Sequence, residues 1–256
     1  MTTEPVSPAL LPNHLASVHV VATDMDGTLT RNGIFSAELI RALESLQEAN
    51  IPVIIVTGRS AGWVQSVAHY LPVWGAIAEN GGVVFAATDA PQLISPIPSI
   101  AEHRQQLAQT FQTFQTHFPN LKESADNRFR LTDWTFSVEG LLPEQINQLQ
   151  AMAEAQHWSF TYSTVQCHIK PKHQTKAIAL TQVLDQYFPT VPRSAVVTVG
   201  DSLNDESLFD RQLVPISVGV ANIRDYLSRL AYHPTYITQA SEVEGFCELT
   251  LSILNQ

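Results

Sequence analysis

The chain has 256 residues, 45% hydrophobic and 15% charged, which is enough for a full core and for two domains. Its net charge of -10 argues against a nucleic-acid binder, since such proteins are usually basic. Cys167 and Cys247 are too few for a disulfide scaffold, and no apolar run reaches the length of a membrane span.

Residues 1–17 hold three prolines and no Lys or Arg, so they lack the charged start and apolar centre of a secretory leader. They read as a loose tail on a cytoplasmic protein. The run Val20-Val21-Ala22-Thr23 then reads as a strand buried on both faces, as in a parallel sheet. It delivers Asp24-Met25-Asp26-Gly27-Thr28 to the strand's carboxyl end, where open α/β sheets bind ligands. In extended chain, residues i and i+2 point the same way, so both carboxylates can face one site. Such a pair needs a proton or a cation between its members, and a hard divalent ion such as Mg2+ fits. A turn could use the same Asp and Gly for their backbone habits alone. An EF-hand frame fails, because Leu29 and Phe35 stand where its glycine and closing glutamate belong.

Ser36 can cap a helix to about Asn50, with Leu39, Ile40, Leu43 and Leu46 on one face. Val53-Ile54-Ile55-Val56 is a second buried strand, ending at Thr57-Gly58-Arg59. A helix over 61–70 follows. A strand over 75–78 and a hairpin partner over 83–86 are joined by Glu79-Asn80-Gly81-Gly82. Prolines 91, 96 and 98 mark 88–98 as a linker. Beyond it the spacing predicts helices over 100–118 and 142–157, with strands over 128–131, 134–138, 159–162 and 165–169. That pattern suggests a small α+β module inserted into the first domain, with Lys170-Pro171-Lys172 as the return linker. A helix over 175–188 leads to a third buried strand, 195–199, which ends at Gly200-Asp201-Ser202-Leu203-Asn204-Asp205. A strand over 214–218 and helices over 222–231 and 241–254 complete the chain.

Asp24/Asp26, Thr57 and Asp201/Asp205 thus converge on one sheet edge, with Lys176 opening the helix before the third strand. Carboxylates can hold Mg2+; the amine, the hydroxyl and turn N–H groups can hold phosphate. One carboxylate can attack phosphorus and its neighbour can move protons. This set, in this order, resembles the haloacid dehalogenase superfamily of phosphohydrolases. Glu79-Asn80-Gly81, Gly219-Val220-Ala221-Asn222 and Glu244-Gly245 resemble its Cof-like, sucrose-phosphatase-like branch.

The resemblance implies an α/β fold: a Rossmann-like parallel-sheet core, residues 1–86 and 172–256, with an inserted α+β cap, 87–171. It implies Asp24 as nucleophile and Mg2+ ligand. Asp26 becomes the general acid/base, with its main-chain carbonyl on the metal. Thr57, Gly58, Lys176 and Asn204 become phosphate-holding groups, and Asp201 and Asp205 complete the metal site. The implied activity is Mg2+-dependent hydrolysis of a small phosphorylated metabolite, a sugar phosphate, through an aspartyl-phosphate. A sugar phosphomutase and a non-catalytic phosphometabolite binder are the alternatives. A receiver domain is disfavoured, because its phosphorylated Asp lies on a different strand from its acidic pair. The chain departs from the branch at Ala177 and Ile223.

Arg59, Asn80, Arg128 and Arg130 are candidate substrate contacts, weighed against a turn role for Asn80 and solvation for Arg128 and Arg130. Lys170 and Lys172 read as linker charges, His168 and His173 as solvated, and Trp134 and Trp158 as cap core. No nucleic-acid or membrane partner is expected, and the sequence leaves the oligomeric state open.

Overall fold

A computed structural model describes residues 8–12, 15, 17–86, 90–163 and 165–255. The chain order is β1 (Ala9–Leu10), β2 (Val20–Thr23), α1 (Ala37–Glu48), β3 (Val53–Val56), α2 (Ala61–Tyr70), β4 (Gly75–Ala78), β5 (Val83–Ala86) and β6 (Gln92–Leu93). Next come α3 (Ile100–His117), β7 (Trp134–Ser137), α4 (Pro143–Ala155), β8 (Trp158–Tyr162) and β9 (Gln166–Pro171). The last part holds α5 (Lys176–Tyr187), β10 (Val196–Gly200), β11 (Ile216–Gly219), β12 (Tyr236–Ile237) and α6 (Glu242–Leu254).

Nine strands form one sheet in the order β1-β12-β11-β10-β2-β3-β4-β5-β6. It is parallel from β1 to β4 and antiparallel through β5 and β6. The central strands alternate between two cores. Val21 packs with Leu39 and Leu43 of α1, while Val20 and Ala22 pack with Leu180 and Val183 of α5. Each such fully buried side chain contributes roughly 1.5–3 kcal/mol relative to exposure, which fixes the register. Thr23 pairs with Val199 on one side and Ile55 on the other, so β2, β3 and β10 end at one level.

The second sheet, β7-β9-β8, is antiparallel. Phe136, Cys167 and Ile169 from it pack on Leu107, Phe111 and Phe114 of α3 and Leu149 of α4. Trp134 and Trp158 pack against this cluster, as expected of core rather than of a sugar platform. Cys167 is buried and unpaired, and burial pushes its thiol up to about 12.

Several expectations are corrected. Part of the supposed tail is docked: Ala9 and Leu10 pair with Tyr236 and Ile237, and Leu15 is buried. Residues 1–7, 13, 14 and 16 lie outside the described residues, as do 87–89 of the expected linker. Within that linker Gln92 and Leu93 add a strand to the large sheet, beyond residue 86. The expected strand at 128–131 does not form: Arg128 and Phe129 end a tight helical turn, Ala125–Phe129, and beyond it the N–H groups of Leu131 and Thr132 go to the Glu79 carboxylate rather than to a neighbouring strand. The expected helix at 222–231 is two short tight-turned pieces, Ala221–Asp225 and Leu227–Arg229. Its Asn, Asp and Tyr are weak helix formers. Lys170 and Pro171 belong to β9, not to a linker. Among the described residues no helix is long and apolar enough to cross a membrane.

Candidate active site

The level ends of β2, β3 and β10 bring Asp24, Thr57 and Asp201 to one cleft, which Asp26, Gly58, Arg59 and Asn204 also line. Gly27 makes this possible. Its φ of +84° suits glycine, and a Cβ there would run into the Asp201 carboxylate.

Lys176 is the first residue of α5, whose N-cap Thr175 accepts from the Ile178 N–H at 3.2 Å. A cation there opposes the helix dipole, and the neighbours explain it. Its buried ammonium donates to Asp24 Oδ1 at 2.5 Å and to Asp205 Oδ1 at 2.6 Å. The other Asp205 oxygen accepts from the Asp201 and Ser202 N–H groups at 2.9 and 3.1 Å. Asp205 is thereby a clamp on Lys176 and on the turn that carries Asp201. Asp201 Oδ2 accepts from Asn222 Nδ2 at 2.9 Å, and that amide also reaches the Gly27 carbonyl.

Asp24, Asp201 and Asp205 are all buried, with one oxygen of each within 4.8 Å of the others. Three carboxylates against the one Lys176 ammonium leave two negative charges uncompensated. Burial, then Asp205, push the Asp24 carboxyl up to about 7 despite Lys176. Asp201 is raised well above the usual carboxylate range by burial and by Asp24 and Asp205. Burial alone would lower Lys176, but Asp205 and Asp24 outweigh it and raise it. The ammonium therefore stays charged, and the surplus is carboxylate. An oxygen-rich pocket short of two positive charges suits a hard divalent cation.

The raised Asp24 has a consequence for the metal-free protein. A folded state that holds the proton more tightly than the unfolded chain loses stability as pH rises from the ordinary 3.8 through about 7. In chelator, the melting temperature of the wild type relative to Asp24→Asn is expected to fall across that window. A pH-independent difference would contradict the assignment.

Asp26 lies outside the acidic trio. Its carboxylate takes a two-pronged ion pair from Arg59, Nε to Oδ2 at 2.9 Å and Nη2 to Oδ1 at 2.7 Å. The Arg59 guanidinium also lies 5.5 Å from the centre of the Trp63 ring. Thr57 Oγ1 accepts from the Arg59 N–H at 3.2 Å, closing the turn. Asn204 Oδ1 accepts from Ser202 Oγ at 2.5 Å.

The other candidates fare differently. Arg128 is exposed, 4.8 Å from the Phe129 ring centre. Arg130 is not solvated: it is buried, pairs with Asp133 and Asp126, and donates to the Gly58 carbonyl at 3.0 Å. Asn80 does hold a turn, at φ +55°, and also touches His168. His168, expected in solvent, is buried against Asp133 beside the cleft, while His173 is exposed. Lys170 is buried too, donates to the Gln174 carbonyl, and is pushed down to about 8 by burial. Sequence reasoning also missed Glu79, whose buried carboxylate accepts from Ala61, Leu131 and Thr132. It thereby ties α2 to the segment entering β7. The alternation of Cys167 and Ile169 with His168 and Lys170 was the available signal for a second, polar face of β9.

Comparison with known proteins agrees with this geometry. The haloacid dehalogenase-like hydrolase family matches residues 21–119 and 94–248. A phosphoglycolate phosphatase of Metallosphaera sedula is 28% identical over 92% of this chain and 100% of its own length. One of Thermoplasma acidophilum is 21% identical over 84% and 93%. A crystal structure from Thermoplasma acidophilum superposes with a TM-score of 0.74 at 20% identity, covering 91% of this chain and 96% of that one. The matched segments contain the Asp24, Thr57, Lys176 and Asp201 regions, and the chain belongs to the haloacid dehalogenase-like hydrolase family, as a phosphatase of its Cof-like branch.

Proposed function

We propose that the chain is a Mg2+-dependent phosphatase that cleaves a small phosphorylated metabolite through an aspartyl-phosphate on Asp24. The observation that carries this reading is Asp24 itself: a buried carboxylate with Lys176 on one oxygen, inside an acidic trio two charges short of neutrality. An Asp24 oxygen attacks phosphorus, and the bond from phosphorus to the substrate's alcohol oxygen breaks. Asp26 gives that oxygen its proton, then takes one from the water that attacks the phospho-Asp24, which returns phosphate and free Asp24. Lys176, Thr57 Oγ1, the Gly58 N–H and Asn204 hold the phosphoryl oxygens.

Asp24, Asp201 and the Asp26 main-chain carbonyl would hold Mg2+, with Asp205 occupied as the clamp on Lys176. Bound Mg2+ supplies positive charge to the phosphoryl oxygens. Arg59 holds both oxygens of the Asp26 carboxylate, so it must let go of at least one for Asp26 to hand a proton to the leaving oxygen in the first step.

The cleft is about 50 Å³. A cleft this narrow favours a compact phosphomonoester, such as a sugar phosphate of triose size, and the relatives named phosphoglycolate phosphatases support a small substrate. We propose further that the antiparallel sheet with α3 and α4 is the cap that covers this cleft.

Nitrophenyl phosphate hydrolysis is expected to need Mg2+ and to stop in chelator. Asp201→Asn is expected to raise the Mg2+ concentration needed for half-maximal rate and to shrink the rise in melting temperature on adding Mg2+. Full activity in chelator would contradict the reading. Activation by a sugar bisphosphate would point to a phosphomutase instead.

A further inference from the structure

Strand β9 has two faces. Cys167 and Ile169 pack into the cluster of Phe136 and Leu149. His168, between them, faces the other way, towards the large sheet. Its side chain is 3% exposed, yet it borders the cleft that holds Asp24 and Asp201. The ring lies over the glycine of the Thr57 turn: a Cβ on Gly58 would come within 3.3 Å of His168 Cε1.

The tautomer follows from the ring's partners. Nδ1 is 2.8 Å from Asp133 Oδ2. Asp133 is a fully buried carboxylate that accepts two hydrogen bonds from Arg130 Nη1, at 2.9 and 3.0 Å. An ionised carboxylate only accepts, so Nδ1 carries a proton; burial pulls the His168 pKa down, which keeps the ring neutral and leaves Nε2 a lone pair. Asn80 agrees with this. Its Nδ2 is placed 3.2 Å from the same Nδ1, and its Oδ1 is buried without a partner. Turning that amide half a turn removes the clash of two donors and sets Oδ1 beside the Nδ1 proton as a second acceptor, shared with Asp133. Among the described residues Nε2 has no hydrogen-bond partner. Arg130 also donates to the Gly58 carbonyl at 3.0 Å, so the chain Arg130–Asp133–His168 is anchored to the turn beside the reacting aspartates. The imidazole is thus fixed in tautomer and orientation by groups behind it.

We propose that His168 is a specificity-determining residue, whose Nε2 accepts a hydrogen bond from a hydroxyl on the alcohol part of the substrate. This rests on the phosphatase reading above and names the substrate class within it: a hydroxyl-bearing phosphomonoester of triose size. A phosphoryl group with ionised oxygens offers Nε2 no hydrogen, and neither does a carboxylate. A hydroxyl does. Leaving a desolvated acceptor bare is costly, so the site disfavours an analogue that lacks the hydroxyl.

The test compares glycerol phosphate with propyl phosphate, which has the same carbon chain without hydroxyls, in wild type and His168→Asn. Nitrophenyl phosphate is the hydroxyl-free reference. Asn retains a donor for Asp133 but has no Nε2. Wild type is expected to favour glycerol phosphate in kcat/KM by about tenfold or more, the weight of one net hydrogen bond. His168→Asn is expected to lose that preference, through a rise in KM for glycerol phosphate that propyl phosphate and nitrophenyl phosphate do not share. Equal use of the two alkyl phosphates by wild type would overturn the proposal, and that comparison stands whether or not the variant folds. A preference retained by His168→Asn would overturn it as well. Failure of wild type to hydrolyse nitrophenyl phosphate would overturn the phosphatase reading, and this inference with it.

Discussion

Asp24→Asn is expected to abolish turnover, whereas Asp26→Asn is expected to slow it by about 10²–10⁴-fold, the usual weight of general acid/base catalysis. The difference follows from where the two carboxylates sit. Asp24 is buried in the acidic trio with Lys176 on one oxygen, and in the proposed reaction it is the group that makes the bond to phosphorus. Asp26 stands outside the trio, half-exposed and held by Arg59, and the work proposed for its side chain is proton transfer alone. The Asp26→Asn loss is expected to be smaller with nitrophenyl phosphate, whose leaving group needs little protonation, than with glycerol phosphate, whose alkoxide leaves badly. Equal residual rates in the two variants, on both substrates, would mean that the roles are assigned wrongly.

Lys176→Met is expected to have the largest effect on stability. The ammonium is buried between Asp24 and Asp205 at 2.5 and 2.6 Å. Removing one partner of a buried ion pair typically costs about 3–5 kcal/mol, because it strands the remaining charge. For a chain of this size that is a fall in melting temperature of roughly 10 °C at neutral pH in chelator. Mg2+ is expected to restore part of it by supplying the missing charge. Turnover is expected to drop by about 10²–10³-fold, as for the loss of one preorganised donor to a developing anion. A melting temperature unchanged in chelator would show that the carboxylates do not depend on Lys176.

The core of this site was legible in the sequence for a physical reason. Strands buried on both faces read as unbroken apolar runs, so Val20–Thr23, Val53–Val56 and Val196–Gly200 stand out, and a parallel sheet forces their ends to one edge. The polar residues just past those ends therefore had to meet. The interface between the two sheets was not legible in this way. Whether Arg130, His168 and Lys170 meet water or the large sheet depends on how the second unit docks, and no local pattern encodes that. Glu79 shows the same limit from the other side: in sequence it is a turn residue, but its carboxylate organises Leu131 and Thr132, far along the chain. The pieces at Ala221–Asp225 and Leu227–Arg229 replace the single helix expected over 222–231. They are held instead by bonds across the fold, such as that from Asn222 to Asp201.

The central claim is that phosphate passes through a covalent bond to Asp24. It is tested most directly by mixing Asp26→Asn with Mg2+ and nitrophenyl phosphate, quenching in acid within milliseconds to seconds, and locating any added phosphoryl group by peptide mass spectrometry. With the water step slowed, the phosphoryl group is expected on the peptide containing Asp24, and it is expected to be absent from Asp24→Asn treated in the same way. Turnover by Asp26→Asn with no phosphorylated peptide at any quench time, or a phosphoryl group on another residue, would contradict the account.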